Sequence, residues 1–192
     1  MIPNAPIRNR RRAWLALAAV LTSLGGLSLG VDSALAGSGG TGTGLGDPSP
    51  APAPGPKAKI VNGYAVPPQG APQQVVDAID AANRIAKGHP YCLGGGHSSF
   101  KSSCYDCSGS VSYALHGAGL LNYPQASSGF YGWGHRGKGS WITVYANGGH
   151  AFMTIAGLRF DTSDTPGQGP GWASSMGYED PHAYQKRFKP GF

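Results

Sequence analysis

The fold is decided by one short stretch, residues 106–119, which reads Asp106-Cys-Ser-Gly-Ser-Val-Ser-Tyr-Ala-Leu-His-Gly-Ala-Gly119. Its apolar residues recur at helical spacing and share one face: Val111, Ala114, Leu115 and Ala118. Asp106 stands just before this run, where a carboxylate can accept hydrogen bonds from the first backbone N–H groups of a helix. Gly119 is suited to end the helix. The stretch therefore predicts a helix with Cys107 at its N-terminus.

The segments around this helix complete an α+β pattern. Residues 73–87 carry apolar side chains at helical spacing between Pro72 and Gly88, which predicts an earlier helix. After a glycine-rich, aromatic loop at 129–139, three runs have strand character, at 141–145, 150–156 and 158–161. Because two helices precede an antiparallel sheet, we predict an α+β domain with helices packed on that sheet. The last thirty residues show no pattern that predicts a helix or a strand.

The first 36 residues have the three parts of a secretory signal peptide. A basic segment with arginines at 8 and 10–12 precedes an apolar run at 13–24, and Ala34-Leu-Ala36 is a small-x-small cleavage pattern. The alternative is an uncleaved membrane anchor, but the Gly, Ser and Thr residues within 13–31 make this segment less apolar than a typical membrane-spanning helix. We expect cleavage after Ala36, contact with the membrane only during export, and a secreted protein of the cell envelope. The export route, general or twin-arginine, stays open.

A Gly/Ser/Pro-rich segment at 37–59 follows, and its lack of apolar bulk predicts a disordered linker. Residues 60–192 then form one domain, which we expect to be a monomer. Four arginines and Asp32 leave with the signal peptide, so the formal net charge falls from +6 to about +3. No run of basic residues with interleaved aromatics remains, so nucleic-acid binding is not expected.

Three cysteines in an exported chain leave one without a partner. Cys92 and Cys104 bracket a short loop, so a bridge between them would leave Cys107 as a free thiol. A Cys104–Cys107 bridge is the alternative, although it would tie that loop to the first turn of the helix. A zinc site is disfavoured, because no second Cys or His pair at finger spacing follows Cys104 and Cys107.

Cys107 has the setting of a nucleophile. A thiol at a helix N-terminus feels the positive end of the macrodipole, which favours the thiolate; a small buried side chain is the plainer alternative. Among six histidines, His150 opens a strand after two glycines, where its ring is held rigidly at a strand end. Asp161 follows on the next strand and can orient that ring, although a role as turn cap for the next residues is almost equally open.

These residues resemble the NlpC-type family of cell-wall cysteine peptidases, which have a compact papain-like fold. Tyr91-Cys-Leu-Gly-Gly95 matches the family's Tyr-x-x-Gly-Gly loop, and Asp106-Cys-Ser-Gly109 matches its nucleophile motif. His150 stands at the family's strand-opening histidine, and the resemblance covers residues 72–165. The chain departs from the family pattern in three respects. Asp161 stands where the third catalytic group is usually His, and residues 139–145 differ from the sequence that usually precedes the histidine. Cys92 and Cys104 are not part of the general family pattern.

The resemblance implies hydrolysis of amide bonds in peptidoglycan stem peptides, with peptidoglycan as the partner and no cofactor or metal. It implies that Cys107, His150 and Asp161 are catalytic. It also implies that three further residues line the substrate-binding side: Tyr91, Asp106 and Ser108. A wall amidase or acyltransferase on a similar Cys–His fold is one alternative, and a catalytically silent wall-binding module is another.

Overall fold

The computed structural model describes residues 55–192, except 164, 166, 167 and 179. In chain order the elements are a hairpin of β1 (Lys59–Val61) and β2 (Tyr64–Val66), then helices α1 (Gln73–Ile85) and α2 (Cys107–Gly117). A 3-10 segment at Ser127–Gly132 precedes β3 (His135–Arg136), β4 (Ile142–Ala146), β5 (Ala151–Ile155) and β6 (Leu158–Asp161). The chain continues through β7 (Gly171–Ala173), a 3-10 turn at Pro181–Ala183 and β8 (Gln185–Phe188).

The six strands from β3 to β8 form one antiparallel sheet in the order β3-β8-β4-β5-β6-β7. β5 and β6 are joined by a tight turn at Ala156 and Gly157, which both have positive φ. Such a turn suits the right-handed twist of the two strands. Because the turn is so short, residues near the start of β5 lie opposite the end of β6.

Alternation along the strands separates the two faces of the sheet. Val144, Met153 and Phe160 are aligned across β4, β5 and β6 and belong to the buried apolar core. Helix α2 packs on β5 and β6 on this side, and α1 packs against α2. The opposite face carries side chains such as Phe152 and Arg159, which lie next to the predicted site. The predicted α+β class, with helices on an antiparallel sheet, is confirmed.

The structure differs from the predicted elements in several respects, and the bounds of β4 and β5 are each shifted by one residue at both ends. α1 ends at Ile85, because Ala86 is extended and Lys87 has a φ of 62°. β1, β2, β3, β7 and β8 are short strands that the sequence pattern did not predict. Residues 55–59, assigned to the linker, pack on the domain instead: Ala58 is buried and its N–H donates to Ala156 O at 2.8 Å.

The predicted signal peptide at 1–36 and the linker up to residue 54 lie outside the described residues and stay predictions. Within the part of the chain that the structure describes, no helix has the length and apolar character needed to cross a bilayer.

Candidate active site

The start of α2 is fixed by Asp106. Its backbone is extended, and its Oδ1 accepts from Gly109 N at 2.8 Å, while Oδ2 accepts from Gly94 N at 3.0 Å. The carboxylate therefore caps the helix and holds the glycine loop against it. Cys107 is the first residue of α2, as predicted, and its thiol lies at the positive end of the helix dipole.

The glycine loop and the nucleophile motif fit together through backbone atoms. Asp106 N donates to Gly95 O at 3.2 Å. A Cβ on Gly109 would stand only 1.9 Å from that same Gly95 O, which no side chain can tolerate. Glycine at 109 thus allows the loop to approach the first turn of α2, and this contact sets the position of Cys107.

The cysteines are paired as predicted. Cys92 and Cys104 form a disulfide with their Cα atoms 5.6 Å apart, and Cys107 is a buried free thiol. The alternative bridge between Cys104 and Cys107 is therefore wrong. The disulfide closes the loop that contains Gly94 and Gly95, so it also restrains the partners of Asp106.

His150 and Asp161 meet across the β5–β6 hairpin. His150 Nε2 lies 3.0 Å from Asp161 Oδ1 and 3.2 Å from Oδ2. The histidine side chain is 18% exposed and the aspartate side chain is fully buried, so the pair is largely shielded from water. Asp161 also accepts from Thr162 N at 2.6 Å. The orienting contact and the turn-cap contact predicted as alternatives therefore exist together.

The imidazole of His150 is close enough to the thiol of Cys107 to affect its ionisation. Burial by itself would raise the pKa of Cys107, but the hydrogen bonds from His150 and from the Ala151 backbone outweigh burial and lower that pKa. Burial would likewise lower the pKa of His150, but Asp161 and Cys107 raise it to about 10. Both shifts favour the thiolate–imidazolium form of the pair over the neutral form.

Arg159 is a buried part of the site that the sequence analysis did not identify. It shares a face of β6 with Asp161, and its guanidinium donates to Asp161 Oδ2 from Nε at 3.0 Å and again from Nη2. Nη1 donates to Met176 O, and the guanidinium lies 4.2 Å from the centre of the Phe152 ring. An arginine between two apolar residues, two positions before a candidate catalytic aspartate, was the available signal.

Ser127 and Tyr91 approach the thiol from two other segments. Ser127, the first residue of the 3-10 segment Ser127–Gly132, has its Oγ 3.8 Å from Cys107 Sγ. Tyr91 is 47% exposed, and partial burial together with the nearby negative charges of Cys107 and Asp106 raises its pKa. Its hydroxyl therefore stays protonated and can donate a hydrogen bond.

Asp106 and Ser108, predicted on the substrate-binding side, are engaged with a third residue. His97 Nε2 lies 3.0 Å from the Asp106 carboxylate and 2.9 Å from Ser108 Oγ. Both predicted residues are almost fully buried, and Ser108 Oγ also donates to Asp106 Oδ1 at 3.2 Å. Through these contacts Asp106 and Ser108 help to hold the site together. Their contact with substrate stays a prediction. His97 was not predicted.

The described residues contain no group of three or more His, Cys, Asp or Glu side chains placed to hold a metal ion. The chemistry available at this site is that of an activated thiol. It includes nucleophilic attack by Cys107, proton transfer by His150, and hydrogen-bond donation by the N-terminus of α2 and by Tyr91.

Among known proteins, only solved structures match this chain. No family model matches the chain, and no curated protein matches it in sequence. A solved structure of a hypothetical invasion protein of Mycobacterium tuberculosis is 24% identical, with a TM-score of 0.44, and covers 67% of this chain and 71% of that chain. The resuscitation promoting factor interacting protein RipA is 23% identical, with a TM-score of 0.45 and coverage of 67% and 71%.

A third match is the P60 domain of an antigen from M. avium subspecies paratuberculosis, which is 19% identical with a TM-score of 0.42. It covers 60% of this chain and 94% of that domain. Of these three neighbours, the third is a P60 domain by name. At TM-scores below 0.5 such similarity is too distant to assign an activity, so the function has to be inferred from the residues of this chain.

Proposed function

We propose that this chain is an exported cysteine peptidase that cleaves amide bonds in the stem peptides of peptidoglycan. The observation that carries the proposal is the line of contacts from Cys107 through His150 to Asp161, with the thiol at the first residue of a helix. The substrate class comes from the sequence resemblance, and the signal-peptide pattern supports an extracytoplasmic site of action.

In the proposed reaction, the Cys107 thiolate attacks the carbonyl carbon of the scissile amide. The negative charge that develops on the carbonyl oxygen is stabilised by backbone N–H groups at the start of α2 and by the Tyr91 hydroxyl. His150 then gives its proton to the leaving amine as the C–N bond breaks, which leaves a thioester on Cys107.

Hydrolysis of the thioester completes the cycle. A water molecule gives a proton to the now neutral His150 as its oxygen attacks the thioester carbonyl. The C–S bond breaks, the carboxylic acid leaves, and the thiolate and imidazolium are restored. Asp161 keeps the ring oriented through Nε2 and stabilises its positive charge, and it needs no proton of its own in either step.

Digestion of purified peptidoglycan followed by mass spectrometry of the soluble fragments tests the proposal. We expect fragments cut within the stem peptide from the wild-type protein, and none from Cys107→Ser, whose hydroxyl is far less ionised than a thiol. Fragments cut between the glycan and the first stem residue would indicate an amidase instead. Intact peptidoglycan after prolonged incubation with folded protein that has the Cys92–Cys104 disulfide intact and the Cys107 thiol free would contradict hydrolysis and favour a silent binding module.

A further inference from the structure

A second cluster of charge lies at the other end of the sheet, where β3 pairs with β8. Arg136 of β3 stands directly opposite Arg187 of β8 in the antiparallel register. A surface cavity of about 400 Å³ opens here, lined by Arg136, Gly137, Gln185, Lys186 and Arg187. Arg136 and Arg187 are basic and none of the five lining residues is acidic, so the cavity carries a positive charge.

Arg187 is the unusual member of this cluster. Its side chain is buried, with only 8% of the residue exposed, and Nη2 donates to Gln185 Oε1 at 2.9 Å. Its Nε is buried without a hydrogen-bond partner. In the part of the chain that the structure describes, no carboxylate forms an ion pair with Arg187 or with Arg136.

Such an arrangement is unfavourable unless something else occupies the cavity. A buried cation without a counter-charge is costly, and like charges directly opposite each other on neighbouring strands destabilise the pair. Both costs would be removed by one anion placed between the two guanidinium groups. Arginine is well suited to this role, because its planar fork binds carboxylate and phosphate oxygens through paired hydrogen bonds.

We propose that Arg136 and Arg187 form a binding site for an oxyanion, namely a carboxylate or phosphate group. Gln185 holds the buried guanidinium, Nε of Arg187 donates to the anion, and the exposed Arg136 closes over it. The site is separate from the thiol centre. Tyr184, whose ring contacts that of His150, lies three residues before Arg187 along extended backbone, so the two side chains face opposite sides of the strand.

Isothermal titration calorimetry on the full chain tests the proposal, with inorganic phosphate in one arm and acetate in the other. Both titrations are run against sodium chloride at the same ionic strength. Arg136→Gln is the informative variant, because this residue is exposed and its replacement leaves the core intact. Lys101→Gln, which removes an exposed charge elsewhere, is the matched control.

We expect the wild-type protein and Lys101→Gln to bind at least one anion, and Arg136→Gln to bind it at least about tenfold more weakly. Binding of phosphate alone would point to a phosphate-bearing ligand, and binding of acetate to a carboxylate. Without anion, Arg136→Gln should melt at or above the wild-type temperature, because a like-charge pair has been removed. Equal affinity in Arg136→Gln, or no heat beyond that of chloride in the wild type, would overturn the proposal.

Discussion

Replacing Asp161 with alanine should damage both stability and catalysis. The side chain is fully buried and contacts His150 at 3.0 Å and Arg159 Nε at 3.0 Å. The change removes the group that orients the imidazole, and it also takes a carboxylate away from two N–H groups of a buried guanidinium. Residues that only line an open cleft can be truncated at little cost, and Asp161 is not one of them.

The expected magnitudes follow from that burial. Removing one partner of a buried ion pair costs about 3–5 kcal/mol of unfolding free energy. In a domain of this size that corresponds to a melting temperature lower by roughly 10–20 °C. The loss of the orienting contact should reduce the hydrolysis rate by about ten- to a thousandfold, which is less than the loss of the nucleophile or base.

Urea unfolding gives the change in stability, and hydrolysis rates are compared at a temperature where both proteins are folded. Asp180→Ala is the control: it removes an exposed carboxylate that caps His182 N at 2.8 Å, so it should cost no more than about 1 kcal/mol and leave the rate unchanged. Adding Arg159→Met to Asp161→Ala should recover part of the stability and none of the activity. An Asp161→Ala protein with wild-type stability and rate would refute this reasoning.

Two further predictions concern pH and the glycine contact. The rate of hydrolysis should follow a bell-shaped pH profile: it falls on the acid side as the thiolate is protonated through the lowered pKa of Cys107, and on the alkaline side near pH 10 as His150 loses its proton. An alkaline limb near pH 6.5 would contradict the raised histidine pKa. Gly109→Ala should lower the melting temperature and slow hydrolysis, because its Cβ would clash with Gly95 O at 1.9 Å, whereas Gly132→Ala, with open space at the Cβ, should do neither. Equal melting temperatures for the two variants would show that the loop can move away from the helix.

Several parts of the site were predictable because their signals are local. Asp106 precedes an apolar helical run, so the helix start and the place of Cys107 follow from capping alone. His150 and Asp161 lie on strands joined by a tight turn, and antiparallel pairing brings such positions together. The odd cysteine count and the short loop between Cys92 and Cys104 were likewise enough to predict the bridge that is present.

Other parts depend on contacts between distant segments, and the sequence alone did not identify them. Ser127 reaches the thiol from a loop twenty residues away, and His97 bonds to Asp106 through the folding of the glycine loop. Arg159 was not identified because its position between two apolar residues indicates burial but does not identify its ion-pair partner. β7 and β8 lie in a Gly/Pro-rich tail and are defined by pairing with β6 and β4, which no periodic pattern reveals.

The pairing of Cys107 with His150 is tested most directly by the pH dependence of thiol alkylation, because this measurement requires no knowledge of the substrate. The rate of iodoacetamide labelling at Cys107 is followed by intact-mass spectrometry from pH 4 to pH 10 in the wild type and in His150→Ala. The account predicts that labelling of the wild type becomes rapid at a lower pH than that of an ordinary thiol. In His150→Ala it should become rapid only at the pH of an ordinary thiol. Identical pH profiles for the two proteins would contradict the claim that His150 activates Cys107.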